Sequence, residues 1–202
     1  MTMVADPPDR PPARPATPAK RITQGAMTRT ARITVRTRWA EDDHEYRVCL
    51  EVSAENVRVM LNDKQAYDHA TTVIRAASRA QYDAVMLRQS ATKLRVPMAT
   101  VSNMLREDRK KREPLTGVST GPLHFDSGVD GKTGRGFVAV SVGVNRLTRW
   151  SMTEAHAYAM AVFGMTERAA NETTTLRTLT GWGANEQWMR DKLVELFEPP
   201  EF

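Results

Sequence analysis

The sequence predicts an α+β fold of two β-β-α-α-like units: small antiparallel sheets each packed on a long helix, behind a disordered Pro-rich tail. Three observations carry this. Apolar and polar residues alternate in three runs over 33–61, a period of 3.6 residues replaces the alternation from about 64 to 89, and the same order returns after residue 122. The organisation that follows is a basic tail at 1–30, a three-stranded meander with helices at 31–113, a linker at 114–122, and a hairpin with helices at 123–202.

The tail holds six of the eleven prolines and almost no large apolar residue, too little to offset the entropy of ordering it. Its Arg10, Arg14, Lys20 and Arg21 are suited to a phosphate backbone, although a plain linker or leader explains them as well. In RITVRTRW, Ile33, Val35 and Trp39 alternate with Arg32, Thr34, Arg36 and Arg38. A polar turn EDDHE leads to Tyr46, Val48, Leu50 and Val52, and SAEN leads to Val57, Val59 and Leu61. This pattern gives a meander with one apolar face and one solvated, Arg-bearing face. Ala70, Val73, Ile74, Ala77, Ala84 and Leu87 then form a helical stripe wide enough to cover a small sheet.

In the second half, 123–125 and 136–144 predict a hairpin around the tip DSGVDGKTGRG. Ser151 followed by Glu154 is a capping-box signature for a helix from about Met152, which Gly181 and Gly183 end. The last helix, NEQWMRDKLVELF, is expected to bury Trp188, Leu193, Leu196 and Phe197. The halves read as a degenerate repeat. His69-Ala70 matches His156-Ala157, while Arg79-Ala80, Leu87 and Arg88 match Arg168-Ala169, Leu176 and Arg177 after a two-residue shift.

Charge is unevenly placed. Residues 1–123 carry 21 Lys+Arg against 14 Asp+Glu, whereas 124–202 carry 8 against 10, so the net +5 resides in the first part. Between 88 and 113 there are eight cations and three carboxylates, the local excess expected of a polyanion site or of a well-solvated helix end. The same stretch, LRQSATKLRVPMATVSNMLREDRKKR, has helix-turn-helix spacing. Ala91, Leu94, Val96, Val101, Met104 and Leu105 fall at the apolar positions, Pro97 suits a first helical turn, and Ser102, Asn103 and Arg106 project from the other side.

VPMATVSNML resembles the recognition helices of bacterial repressors, including those of the LacI type, over about 20 residues. That resemblance implies duplex DNA as partner, with Met98, Ala99, Ser102, Asn103 and Arg106 facing bases. Lys93, Arg95, Arg109 and Lys110 would touch phosphates, and the cluster continues through Lys111 and Arg112. One departure is Arg95 at the turn position usually held by Gly, at a cost of roughly 1 kcal/mol where φ is positive. Two short helices joined by a turn also serve as a structural cap, and the sequence leaves both readings open. The wording of 57–198 is loosely similar to small actinobacterial and phage proteins, a resemblance that implies a setting and no activity.

Other signals point away from catalysis. DSGVDGKT departs from the P-loop pattern at Asp126, and a strand-like GRGFVAVSVGV follows where a P-loop needs a helix, so a hairpin turn explains it better. The four histidines (His44, His69, His124, His156) and the single Cys49 lack metal-ligand spacing, and no nucleophile motif is present. We therefore expect no catalytic residue, no metal, no cofactor and no enzyme. No apolar run approaches the ~18 residues that span a bilayer, and one cysteine suits a cytoplasmic location. The expected function is a non-enzymatic DNA-binding accessory or regulatory protein, homodimerisation being left open. The alternative is a protein-interaction module that binds a host protein through the second-half hairpin or its helix faces.

Overall fold

The alternation over 33–61 folds into a meander because each strand carries one set of side chains that must leave water. A computed structural model describes residues 32–111, 122–195 and 199–202; residues 1–31, which include the expected tail, residues 112–121, which hold most of the expected linker, and residues 196–198 lie outside them. Strands β1 (Ile33–Ala40), β2 (Glu45–Val52) and β3 (Val57–Leu61) pair antiparallel in the order β1-β2-β3, with Ile33 opposite Val52 and Val48 opposite Leu61. Helices α1 (Asp63–Leu94) and α2 (Met98–Lys111) follow.

The second half repeats this order in full. β4 (Leu123–Val129), β5 (Gly136–Val142) and β6 (Asn145–Trp150) form a second three-stranded sheet, followed by α3 (Met152–Gly181) and α4 (Glu186–Glu195). The sequence had suggested only a hairpin here. β6 escapes detection because the register shifts opposite Val140 and Ser141: Thr148 pairs with Val140 and Arg146 with Ser141, leaving Leu147 between them. A bulge of this kind breaks the period of two, so the buried residues of β6, Leu147 and Trp150, are three apart.

Single residues, Asn62 and Ser151, join each third strand to its helix, and both are capping boxes whose partners are Gln65 and Glu154. A one-residue connection gives the helix no length in which to turn back over its own sheet. Each long helix instead covers the other half's sheet: α1 packs mainly on β4 and β5, and α3 on β1 and β2, with the helices against each other. Each sheet is thus packed on a long helix, but an exchanged one. The principal core runs through both halves, from Ile33, Val48 and Leu50 through Ala70 and Val73 to Phe125, Val140, Tyr158 and Val162.

Placing the two N-caps in register corrects the internal alignment. With Asn62 on Ser151 and no gap, Ala66 falls on Ala155, Ala70 on Ala159, Val73 on Val162, Ala80 on Ala169 and Leu87 on Leu176, all ten buried. No two-residue shift is needed, and the counterpart of His69 is Tyr158 rather than His156. These two equivalent residues meet: His69 Nε2 lies 2.8 Å from the Tyr158 hydroxyl. Asp83 likewise falls on Glu172, a buried carboxylate in each unit.

The chain end adds a piece the sequence did not suggest. Ile33 N–H donates to Phe202 O at 2.7 Å, Phe202 N–H returns a bond to Ile33 O at 2.9 Å, and Val35 N–H donates to Pro200 O at 3.2 Å. This covers the outer edge of β1, where unpaired backbone groups would otherwise be open to another strand. In α4 the buried side is formed by Met189 and Leu193 against Tyr46 and Leu176. Trp188, expected inside, is exposed, and Leu196 and Phe197 lie outside the described residues.

Candidate nucleic-acid interface

The turn between α1 and α2 shows how the sequence departs from a glycine and still folds. Arg95 adopts φ 54° and ψ 40°, the left-handed conformation that ends many helices. The Val96 N–H reaches back to Ala91 O at 3.2 Å, and Val96 and Ala91 share an apolar cluster, so the cap closes without Gly. Arg95→Gly is therefore expected to stabilise the protein by about 1 kcal/mol, because it removes the Cβ penalty at positive φ. A urea titration monitored by far-ultraviolet circular dichroism reads this; an unchanged or lower midpoint would show that the arginine side chain compensates.

Helix α2 is held by a small core of its own. Val101 is buried, and Met98 and Leu105 are partly buried, against Ala84, Leu87, Ala91 and Val96 and against Val129 at the end of β4. The expected anchors Leu94 and Met104 do not join it; both are 60% exposed. A second support was not anticipated. The tip of the β4–β5 hairpin lies on the N-terminal half of α2, so close that a Cβ on Gly131 would sit 3.2 Å from Ser102 Cβ and Oγ. One on Gly134 would sit 3.1 Å from Met98 Sδ.

The expected base-facing set is therefore divided. Ser102 is only 7% exposed and Met98 is packed, so neither stands free as the sequence suggested. Ala99, Asn103 and Arg106 are exposed, and at 100° per residue they occupy one face of the helix. The phosphate set divides too. Lys93, Arg95 and Lys111 are exposed. Arg109 is mostly buried, with Nε 3.8 Å from the fully buried Asp83 carboxylate of α1 and 3.3 Å from Leu105 O. It clamps α2 to α1, which corrects its assignment to phosphate. The Lys110 side chain and Arg112 lie outside the described residues.

Many cations elsewhere are paired with carboxylates, whereas Arg177 donates to His44 O and Arg149 stands over the Phe137 ring. Arg36, Arg38 and Arg58 converge on Glu51 across the outer face of the first sheet. Burial alone would raise the Glu51 carboxyl, but its hydrogen bond from Arg36 and the three positive charges hold it below the ordinary value. Cys49 beneath them is buried, and that burial pushes its thiol up to about 11, against any role as nucleophile. Arg47 pairs with Asp43 and Glu45, Arg168 with Glu172, and Arg190 with Glu41 and Glu186 while stacking on Trp39 at 4.0 Å.

Around α2 the balance differs. Arg88, Lys93, Arg95 and Arg106 are exposed and show no carboxylate partner among the described residues, and the same is true of Lys132 and Arg135 on the hairpin tip. The last two were not among the sequence-derived candidates, because only the folded chain brings a loop of the second unit beside a helix of the first. Among the described residues no group of three or more His, Cys, Asp or Glu could hold a metal ion, and no helix is long and apolar enough to cross a membrane. Compared with known proteins, the chain matches no family model, no curated protein and no solved structure.

Proposed function

We propose that this chain is a non-enzymatic, cytoplasmic DNA-binding accessory or regulatory protein that lays α2 in a groove of duplex DNA. The observation that carries the reading is a cluster of cations. Arg88, Lys93, Arg95, Arg106, Lys132 and Arg135 gather exposed around α2 with no carboxylate partner among the described residues, whereas the arginines of the first sheet, Arg168 of α3 and Arg190 of α4 are tied to carboxylates. Uncompensated cations beside an exposed helix face release counterions from a duplex, and that release drives most of the non-specific affinity. Asn103 and Arg106 supply the base-edge donors and Ala99 a small apolar contact.

Fluorescence anisotropy with a random duplex tests this. Affinity is expected to fall by roughly tenfold or more between low and moderate salt, and Arg106→Ala with Asn103→Ala is expected to weaken binding further at either concentration. A salt-independent affinity, or a double variant that binds like the parent, would overturn the reading. One observation favours a second role at the opposite end. Trp182 and Trp188, at the α3–α4 junction, are 81% and 58% exposed, the composition of a protein-binding anchor. If the intact chain binds no duplex, a module for protein partners takes the place of the DNA reading.

A further inference from the structure

We propose that the β4–β5 hairpin tip, residues 130–135, is a second DNA-binding element that grips the sugar–phosphate strand bordering the groove occupied by α2. The inference rests on the DNA reading of α2 and assigns that site a second contact from the other half of the chain.

The tip is a fixed structure. Asp130 Oδ1 accepts the backbone N–H groups of Lys132 and Thr133 at 2.8 and 2.9 Å. Asp130 N–H donates to Arg135 O at 2.9 Å, and Gly134 N–H donates to Asp130 O at 2.8 Å. The bonds from Thr133 and Lys132 hold the Asp130 carboxyl below its ordinary value, so it stays ionised as an internal acceptor. Gly134 sits at φ +67° against Met98 and the Arg88 stem, and Gly131 sits against Ser102 and Ala99. Gly134 suits its left-handed conformation, and a Cβ at either glycine would fit only if the neighbouring side chain gave way by a few tenths of an ångström.

Locking the turn this way leaves Lys132, Thr133 and Arg135 exposed beside α2. On the helix circumference Ser102 lies between the packed side and Arg106. The hairpin that covers Ser102 therefore adjoins the face carrying Ala99, Asn103 and Arg106. The major groove is about 12 Å wide, enough for one helix, so whatever adjoins that helix meets the phosphates of the groove wall. Two cations on a rigid turn are placed for that wall, and the turn backbone needs no further ordering on binding.

The experiment compares the full chain with Lys132→Ala plus Arg135→Ala and with a charge-matched control, Lys64→Ala plus Arg146→Ala. The control residues lie at the start of α1 and the start of β6, away from α2. Loss of two phosphate contacts is expected to reduce the slope of log affinity against log salt by roughly 1.8 and affinity at moderate salt by about tenfold, alike for all duplex sequences. The control pair is expected to leave the slope unchanged. Thr133→Cys, coupled to an iron chelate that cuts nearby backbone, is expected to cleave bound duplex, Cys49 being too buried to label. If the hairpin variant binds like the control while Asn103→Ala plus Arg106→Ala loses affinity, the hairpin proposal is wrong and the α2 reading stands. If the unmodified chain fails to bind duplex, both are wrong.

Discussion

Gly136→Ala is expected to destabilise the protein by about 3 kcal/mol, more than any other Gly→Ala change in the described chain. A Cβ at Gly136 would lie 2.6 Å from Ala80 O and 2.8 Å from Ala80 C, both backbone atoms in the middle of α1. Neither can yield without moving the helix off the second sheet, and forced overpacking of this kind costs about 1–3 kcal/mol or more. Two other glycines give the comparison. At Gly128 the added carbon would meet the far end of the Phe137 ring at 2.3 Å, which can swing aside, so about 1 kcal/mol is expected. At Gly143 nothing lies within 4 Å and only the φ of +54° is strained, again about 1 kcal/mol. Urea midpoints of the three variants should rank accordingly. A Gly136→Ala midpoint no lower than that of Gly143→Ala would show that the second sheet and α1 are packed less closely than described.

The same position explains why the two units differ. Matching Ile33 to Leu123 and Val52 to Val142 puts Tyr46 on Gly136. Tyr46 fills the space beside Ala169 with a ring, and its backbone N–H donates to Thr173 Oγ1 at 2.8 Å. Its hydroxyl is pushed up to about 12, by burial first and then by Glu172. One unit thus meets its helix through a glycine and the other through a buried phenol, so a repeat of architecture hides behind few identities.

Legibility in the sequence followed the range of the interactions. The first meander could be read because Ile33, Val35, Val48 and Leu50 keep strict alternation, and the capping boxes at Asn62 and Ser151 are local by nature. β6 could not be read because a bulge at Leu147 spoils its period. The exchange of helices was also hidden: α1 and α3 present similar stripes of alanine and valine, which fit either sheet. For the candidate site, helical spacing correctly exposed Asn103 and Arg106, and the resemblance to recognition helices added Ala99, since that much depends on α2 alone. Spacing misjudged Ser102 and the resemblance misjudged Arg109, whose partners are Gly131, from the other unit, and Asp83, more than six turns away along the chain. An amphipathic pattern says which side of a helix is apolar; it carries no information about a glycine-rich turn arriving from a distant segment.

The His69–Tyr158 pair is the other place where a large effect is expected, and its sign can be derived. Burial pushes the His69 imidazole down to about 4, whereas in the unfolded chain it titrates near its ordinary value of 6.5. As pH falls below 6.5 the unfolded state takes up the proton first, so stability is whole above that pH and declines towards 4, by roughly 3 kcal/mol in all. Burial raises the Tyr158 phenol, so this hydroxyl keeps its proton and serves as donor or acceptor throughout that window. The surroundings are aromatic: Phe125 stands edge-on to the imidazole at 5.2 Å, and Phe202 edge-on to Tyr158 at 5.2 Å. Tyr158→Phe leaves Nε2 without its partner beside an Nδ1 that already lacks one, and is expected to cost about 1–3 kcal/mol at pH 7. His69→Leu combined with Tyr158→Phe removes both polar groups together and should be milder than the sum of the single changes, since no orphan remains. The double variant should also lose the acid dependence that His69 contributes, so the difference between its stability and the parent's should change steadily from pH 6.5 to 4. A constant difference over that range would mean that the imidazole is not held neutral inside the core, and that the junction of the two units is more open to water than the packing of these rings allows.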